Sequence, residues 1–422
     1  MIQTVRKPII DRNIAPPSRR PRSHSNIFVV LALIAGIIVA ISAQCAYSPP
    51  KTSEPTIPAR IAYTEHEPIL ITGNTLFASK ASSEGWPGDG TPGNPYVIEG
   101  YEIDAGGWAW CIHIESTDVH FIVRDCYLHD ASYKYDDGAA IRFYDVSYGT
   151  VENCSVERSG RFGFLAWDSS HISFKNCTSH IAPIGIYLPH CHHITVAGSS
   201  FDNSGASGQL GYKYGISIYG SNNVVAEDNK VWDYADNGLV TSASSNLFLC
   251  HNTLNGSSTG INLAHAVHFT IVANNTVLNS SVGVHVNLSN YNWFTDNRIE
   301  NSTGYGMWLT GTSTGNRVWN NSFLFNNPSG TQARDDVGTN FWNGTESGNF
   351  WSDWTTPDVS PADGIVDNPY VLDGDVGAMD YYPLAPSLTP IPEFNSPVIV
   401  IGITIMIVAT FMASRGPREK RP

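Results

Sequence analysis

Chemistry in this chain would have to come from three short clusters of side chains. The first is Lys134, the adjacent carboxylates Asp136 and Asp137, and then Arg142, Tyr144 and Asp145. Paired carboxylates hydrolyse a glycosidic bond when one acts as acid and the other as base or nucleophile, about 5–9.5 Å apart. Arg142 beside carboxylates that hold Ca²⁺ would instead suit a lyase, the arginine as base and the cation acidifying the sugar. The second cluster joins Trp167, Asp168 and Tyr187 with Glu115. Aromatic faces beside hydrogen-bonding groups are what a sugar ring demands. The third is His190-Cys191-His192-His193, a run of soft ligands suited to Cu or Zn. Each has a plainer reading: β-formers and charges on a solvated sheet face, or turn imidazoles bonded to backbone.

Choosing between these readings requires the elements that hold the residues, and those come from a repeat. Asn252-Thr-Leu254 returns as Asn275-Thr-Val277, and Gly260-Ile-Asn-Leu263 as Gly283-Val-His-Val286, both 23 residues on. The same position can be followed through Tyr101, Cys126, Cys154, Cys177, Ser199, Asn229, Asn252, Asn275, Asn297 and Asn321, in steps of 22 to 30 residues. Alternation over three to five residues means short, half-buried strands. Three such strands per repeat of 22–24 residues, joined by tight turns, predict a right-handed parallel β-helix of about ten rungs, an all-β solenoid. Apolar residues never recur at helical spacing, and a propeller blade needs about 40–50 residues. The turn position predicts an inward asparagine ladder from Asn229 to Asn321, with Cys126, Cys154 and Cys177 filling the same slot as buried thiols.

The repeat over 96–327 resembles the NosD-like and carbohydrate-binding/sugar-hydrolase β-helix families. That resemblance implies extracellular polysaccharide as partner, or copper handling. Two flanks related in sequence, Asp89-Gly-Thr-Pro-Gly-Asn-Pro-Tyr-Val-Ile-Glu-Gly100 and Asp363-Gly-Ile-Val-Asp-Asn-Pro-Tyr-Val-Leu-Asp-Gly374, predict caps for the open ends, within 46–95 with its linker and within 328–386. The second, with Gly348-Asn-Phe-Trp-Ser-Asp-Trp354, resembles the C-terminal region of archaeal NosD-like surface proteins, although Pro361-Ala362 stands where relatives carry Asp-Gly. Asp358, Asp363 and Asp367 there are either Ca²⁺ ligands or plain turn residues. Asp136-Asp-Gly-Ala-Ala-Ile141 resembles the paired-Asp strand of polygalacturonases, and Tyr214-Gly-Ile-Ser-Ile218 their histidine-bearing strand. Tyr214 replaces that histidine, the pieces lie 78 residues apart, and Arg-x-Lys is missing, so that family's mechanism is not carried over.

Both ends of the chain differ from the repeat. An uncharged apolar run, 27–43, follows the basic tail 1–26, and another within 395–414 precedes the basic tail 415–422, after a Pro-rich linker 387–395. Each approaches the ~17–25 residues that span a bilayer, and basic flanks mark the cytoplasmic side. Residues 27–45 are therefore a signal anchor or a cleaved signal peptide, and 396–414 a transmembrane helix, leaving 46–395 outside the cell and the basic tails inside. Ile391-Pro-Glu-Phe394 before the second run resembles the PEF-type sorting tail of archaeal surface proteins. Net charge is −14 although both tails are basic, which argues against nucleic acid as a partner. Nine Asn-x-Ser/Thr sequons, all in the exterior segment, allow for a glycoprotein.

Within this frame the x of each Gly-apolar-x-apolar strand faces out. The column runs His113, Arg142, Leu165, Tyr187, Ser217, Val240, Asn262, His285, Trp308, with Glu115, Tyr144, Trp167, Pro189, Tyr219 and Ser242 beside it. Two insertions carrying Tyr-Lys-Tyr, with Lys134 and Lys213 at their centres, emerge just before this face and would wall a groove. The expectation is a membrane-held surface protein that contacts polysaccharide through Arg142, Trp167 and Tyr187. A lyase or hydrolase using Arg142, Asp136 and Asp137, and a copper protein using His190, Cys191 and His193, are the alternatives.

Overall fold

Ten rungs of the chain each contribute one strand to each of three parallel sheets. The computed structural model describes residues 63–132, 138–205, 211–359 and 361–386. The first sheet has 12 strands from Thr64–Glu65 to Phe350–Trp351, the second 11 from Ile69–Thr72 to Ala333–Asp335, and the third 10 from Tyr96–Glu99 to Arg317–Trp319. The fold is a parallel β-helix. Inward residues form one continuous core, with columns such as Ile141, Phe164, Ile186, Ile216 and Leu239 stacked in register. The six cysteines among the described residues are buried.

Corners are made by single residues with positive φ. Asp145, Asp168 and His190 turn the chain out of the second sheet, and Asn153, Asn176, Asn274 and Asn320 turn it out of the third. Asn and Asp tolerate this region best, which is why the sequence is so rich in them. The glycine near the start of the second-sheet strands from Phe162–Trp167 to Met307–Thr310 has another reason. A Cβ on Gly185 would lie 2.6 Å from the carbonyl oxygen of Gly215 and 2.6 Å from the Phe201 ring. Glycine removes that clash, whereas the earlier strands carry Cys111 and Ala140 in this slot.

The asparagine ladder is present, and it has a direction. Asn252 donates its backbone N–H and its side-chain amide to Oδ1 of Asn275, at 2.9 and 3.0 Å. The second amide hydrogen of each member goes to a backbone carbonyl, from Asn252 to Ala226 O at 2.8 Å and from Asn275 to Leu249 O at 2.7 Å. The pattern runs from Asn229 through Asn321 to Asn349. Each amide donates toward the C-terminus, so the last one needs a pure acceptor. Buried Asp380 supplies it, accepting from the Asn349 N–H at 2.6 Å. Two ladders unforeseen in the sequence obey the same rule. Asn292–Asn316–Asn340 ends on buried Asp335, and Asn326–Gln332 ends on Asp353.

The N-terminal end is closed by a helix, which the all-β expectation lacked. Gly73–Glu84 stops at Gly85 in the left-handed conformation and lays Phe77 and Ala81 on the first rungs, Phe77 stacking on Tyr96 at 4.9 Å. At the other end Phe323, Trp351 and Tyr370 stack at 4.3 and 4.1 Å. The two similar flanks take different structures. Tyr96–Glu99 is a strand of the third sheet, whereas Tyr370–Val371 pairs antiparallel with Met379–Asp380. Among the described residues no helix is long and apolar enough to cross a membrane, and the runs at 27–43 and 395–414 lie outside them.

Candidate functional site

The outer face of the second sheet carries a separate apolar cluster. Ala139, Phe162, Leu165 and Ile184 are buried on one another outside the core, with Trp167, Tyr187 and Tyr214 packed against them. Register explains it. Ala139, Phe162, Ile184 and Tyr214 open successive strands, and Arg142, Leu165 and Tyr187 stack three residues further along. The outward column is therefore not uniformly solvated: His113, Leu165 and Ser217 are buried, while Arg142 and Tyr187 are half-buried.

Aromatic rings continue from this cluster across the face. Tyr187 stacks on Phe162 at 5.2 Å, Trp167 lies 6.4 Å from both Tyr144 and Tyr187, and Tyr212 stacks on Tyr214 at 5.5 Å. Cations sit over the rings. Arg142 lies 5.9 Å from Trp110 and Arg161 5.2 Å from Phe162. Burial raises the Tyr187 hydroxyl and pushes that of Tyr214 up to about 12. Both stay protonated at neutral pH and can only donate or accept hydrogen bonds, not act as general bases.

Of the residues singled out in the sequence, Arg142, Tyr144, Trp167 and Tyr187 share this face. Glu115 stands one rung before Tyr144, accepting from Thr72 Oγ1 at 3.1 Å and facing His113 Nε2 at 3.2 Å. Asp145 and Asp168 are exposed corner residues at its edge. Lys213 is tied by its backbone N–H to Asp236 at 2.8 Å, just before Tyr214. Lys134, Asp136 and Asp137 lie outside the described residues.

The run at 190–193 is not assembled as one ligand set. Cys191 points into the core, its thiol on the carbonyls of Ala166 and Pro189 at 3.2 and 3.4 Å, and burial pushes it up to about 12. His190 turns toward Tyr219 at 5.3 Å, whereas His193 joins an outer stack with His171 at 4.8 Å and, through it, Tyr148 and His120. Neighbouring residues at a corner diverge, so thiol and imidazoles cannot meet. Asp358, Asp363 and Asp367 each accept a backbone N–H, from Gly364, Ile365 and Val359, as turn residues do.

A different set converges on the first sheet. Ligand atoms of Asp104, His129 and Asp130 lie within 4.8 Å of one another, the one such group among the described residues. Arg158 already grips Asp130 with two bonds of 2.9 Å and holds its carboxyl down at about 2. The signal was there to read: Asp104, His129, Glu157, His180 and Asp202 form one outward column in which acids and imidazoles alternate.

A family profile described as a periplasmic copper-binding protein (NosD) matches residues 147–356. The chain is a parallel β-helix protein of NosD type. Among solved structures it is similar to the A-module of the Azotobacter vinelandii mannuronan C-5 epimerase AlgE6, at 15% identity and a TM-score of 0.47, covering 65% of this chain and 87% of that one. It is also similar to the periplasmic alginate epimerase AlgG, at 13% and 0.42, covering 66% and 85%. A lacto-N-biosidase from Eubacterium ramulus is similar at 12% and 0.39, covering 65% and 67%. At these scores the neighbours carry no argument about ligand or activity. No curated protein matches the sequence.

Proposed function

We propose that this NosD-type chain is an extracytoplasmic, membrane-held protein that binds polysaccharide on the outer face of its second sheet. The observation that carries the reading is the apolar cluster outside the core. A sheet face that only meets water has no need of Phe162, Leu165 and Ile184 buried beneath a layer of Trp167, Tyr187 and Tyr214. Such a floor, with aromatic rings above it and Arg142, Glu115, Asp145 and Asp168 around it, suits sugar rings that stack on one face and hydrogen-bond at the edge. The apolar runs at either end would hold the chain at the membrane, and the description of the matched family as periplasmic supports a location outside the cytoplasm.

A panel of polysaccharides, scored for binding and for new reducing or unsaturated ends, tests this. Binding without products is expected, with Trp167→Ala weakening it. Product formation that Arg142→Ala abolishes would replace the binding reading by a lyase or hydrolase built on Arg142 with Asp136 and Asp137.

Copper handling is the second reading, and Asp104, His129 and Asp130 favour it better than His190, Cys191 and His193 do. Imidazole and carboxylate donors suit Cu(II). Arg158 is the obstacle, because its guanidinium must leave Asp130 before a cation can enter. Titration with Cu(II) should therefore give tighter binding in Arg158→Ala than in the wild type. Equal binding in the two, or binding unchanged by His129→Ala, would remove this reading.

A further inference from the structure

The third sheet changes character half-way along the rod. Its outward column opens on Val97 and Ile122, reads Thr150, Ser173 and Thr195 in the next rungs, then Val225, Phe248, Ile271 and Trp293, and ends on Arg317. The neighbouring positions change likewise, from Glu152 and Lys175 to Cys250 and Ala273, which are buried. At the adjoining corner Phe269 stacks on Tyr291 at 5.9 Å, and beyond the strip Trp293 meets Trp319 at 5.7 Å. The fold does not require this strip. Threonine and serine at the same positions stack equally well three rungs earlier, and the inward partners Val272 and Phe294 already fill the core.

We infer that this strip joins two copies of the chain, antiparallel, in a symmetric dimer. A glycan is a poor occupant, because Val225, Phe248 and Ile271 offer no side-chain hydrogen bond to its hydroxyls. A second copy supplies a matching apolar surface and matching charge. With a two-fold axis along the strand direction through the Ile271 rung, the half-buried Phe248 faces Trp293 of the other copy, and Ile271, itself buried at 6% exposure, lies beneath the axis. The same operation places Arg317 of each copy against the rung that holds Val225 and Glu227 of the other. Glu227 flanks the strip at one end, where burial raises its carboxyl, and Arg317 lies over the Phe341 ring at the opposite end. A parallel pairing would set Arg317 against Arg317. Five rungs at ~4.8 Å give a strip about 20 Å long, the centre of an interface below the ~800 Å² per partner of a standard one. Dissociation on the micromolar scale follows.

Light scattering on the full chain in mild detergent, from about 1 to 100 µM, should show a dimer that dissociates on dilution. Phe248→Ser with Trp293→Thr, the residue types of earlier rungs, should leave only monomer while keeping the β-sheet circular dichroism. A wild type that stays monomeric throughout, or a dimer that persists in this variant, overturns the proposal. Disulfide trapping in a Cys45→Ser, Cys250→Ser background tests the geometry. Phe248→Cys and Trp293→Cys in the same chain should cross-link two copies, and neither should do so alone. Cross-linking of Phe248→Cys by itself means a parallel arrangement, and no cross-link in the double variant means that the strip is not the interface. Either outcome overturns the antiparallel dimer.

Discussion

The early and late rungs build one solenoid from different parts. At the turn into the first sheet, Cys126, Cys154 and Cys177 fill the slot in the early rungs, and Asn252, Asn275, Asn297 and Asn321 in the late ones. A cysteine there makes only long thiol contacts, Cys154 to Glu152 O at 3.4 Å and to Val123 O at 3.6 Å. The Asn275 side chain accepts two hydrogen bonds and donates as many. The early rungs are held mainly by packed aromatic and aliphatic side chains, and the late ones add an amide network with a fixed direction. The difference teaches that apolar filling and hydrogen bonding are interchangeable at this turn, but with different penalties when broken.

That difference should appear first in stability. Asn275→Leu strands the N–H of Asn252 and one hydrogen of its amide in a dry interior, and takes a donor from the carbonyl of Leu249 and from Oδ1 of Asn297, which keeps only the backbone N–H of residue 275. The expected loss is about 3 kcal/mol, since each orphaned group costs ~1–3. Cys154→Val keeps a small apolar side chain in its slot and should cost under about 1.5 kcal/mol. Denaturant melts of the two variants measure this directly. Equal losses would mean that the ladder contributes no more than packing does.

The repeat, its period, the outward column and the Asn229–Asn321 ladder were legible because a solenoid repeats one local environment, and each environment selects one residue type. The ends were not. Gly73–Glu84 has only Phe77 and Ala81 as buried positions, too few to mark a helix by periodicity. Asn292–Asn316–Asn340 stayed hidden because three members scattered in an Asn-rich sequence form no column to the eye. At the candidate site, Arg142, Trp167 and Tyr187 were legible as neighbours because they share a column or sit beside it. The buried floor of Phe162 and Ile184 was missed, since those residues precede the glycine and read as turn. The divergence of His190, Cys191 and His193 is a property of a corner, which spacing alone does not reveal.

A second test uses the corner column that leads into the first sheet. Asn153, Asn176, Asn274 and Asn320 hold this position in four rungs, but a late one has Asp296. Its carboxylate accepts from Thr295 Oγ1 at 2.7 Å and is pushed up to about 6, mainly by burial. A carboxyl raised above its unfolded value of 3.8 stabilises the fold below that value and loses this contribution as pH rises through about 6. Asp296→Asn, the residue of those equivalent corners, never ionises. The stability of this variant should therefore gain on the wild type between pH 4 and pH 7, by an amount on the order of 2 kcal/mol. Thermal melts across that range read it. A gap that is flat with pH would mean that water reaches the carboxylate.

The smallest expected effect separates two tryptophans on one face. Trp167 and Trp308 both point out from the second sheet, and in sequence Trp308 has no charged neighbour in its column. The structure corrects this. Arg334 occupies the next rung of that column, and the Trp308 indole N–H donates to Asp336 at 2.8 Å, while Arg334 bonds Asp336 at 2.7 Å. Trp308 thus ties the last rung to the C-terminal cap, whereas Trp167 lies over the apolar cluster between Tyr144 and Tyr187. If glycan binds over that cluster, Trp167→Ala should weaken binding about fivefold or more, equivalent to ~1 kcal/mol, with little change in melting temperature. Trp308→Ala should do the reverse, lowering the melting temperature and leaving affinity within about twofold. Calorimetric titration beside thermal melts reads both quantities. Equal losses of affinity would mean that the ligand runs the length of the rod, and a larger loss at Trp308 would move the site to the capped end.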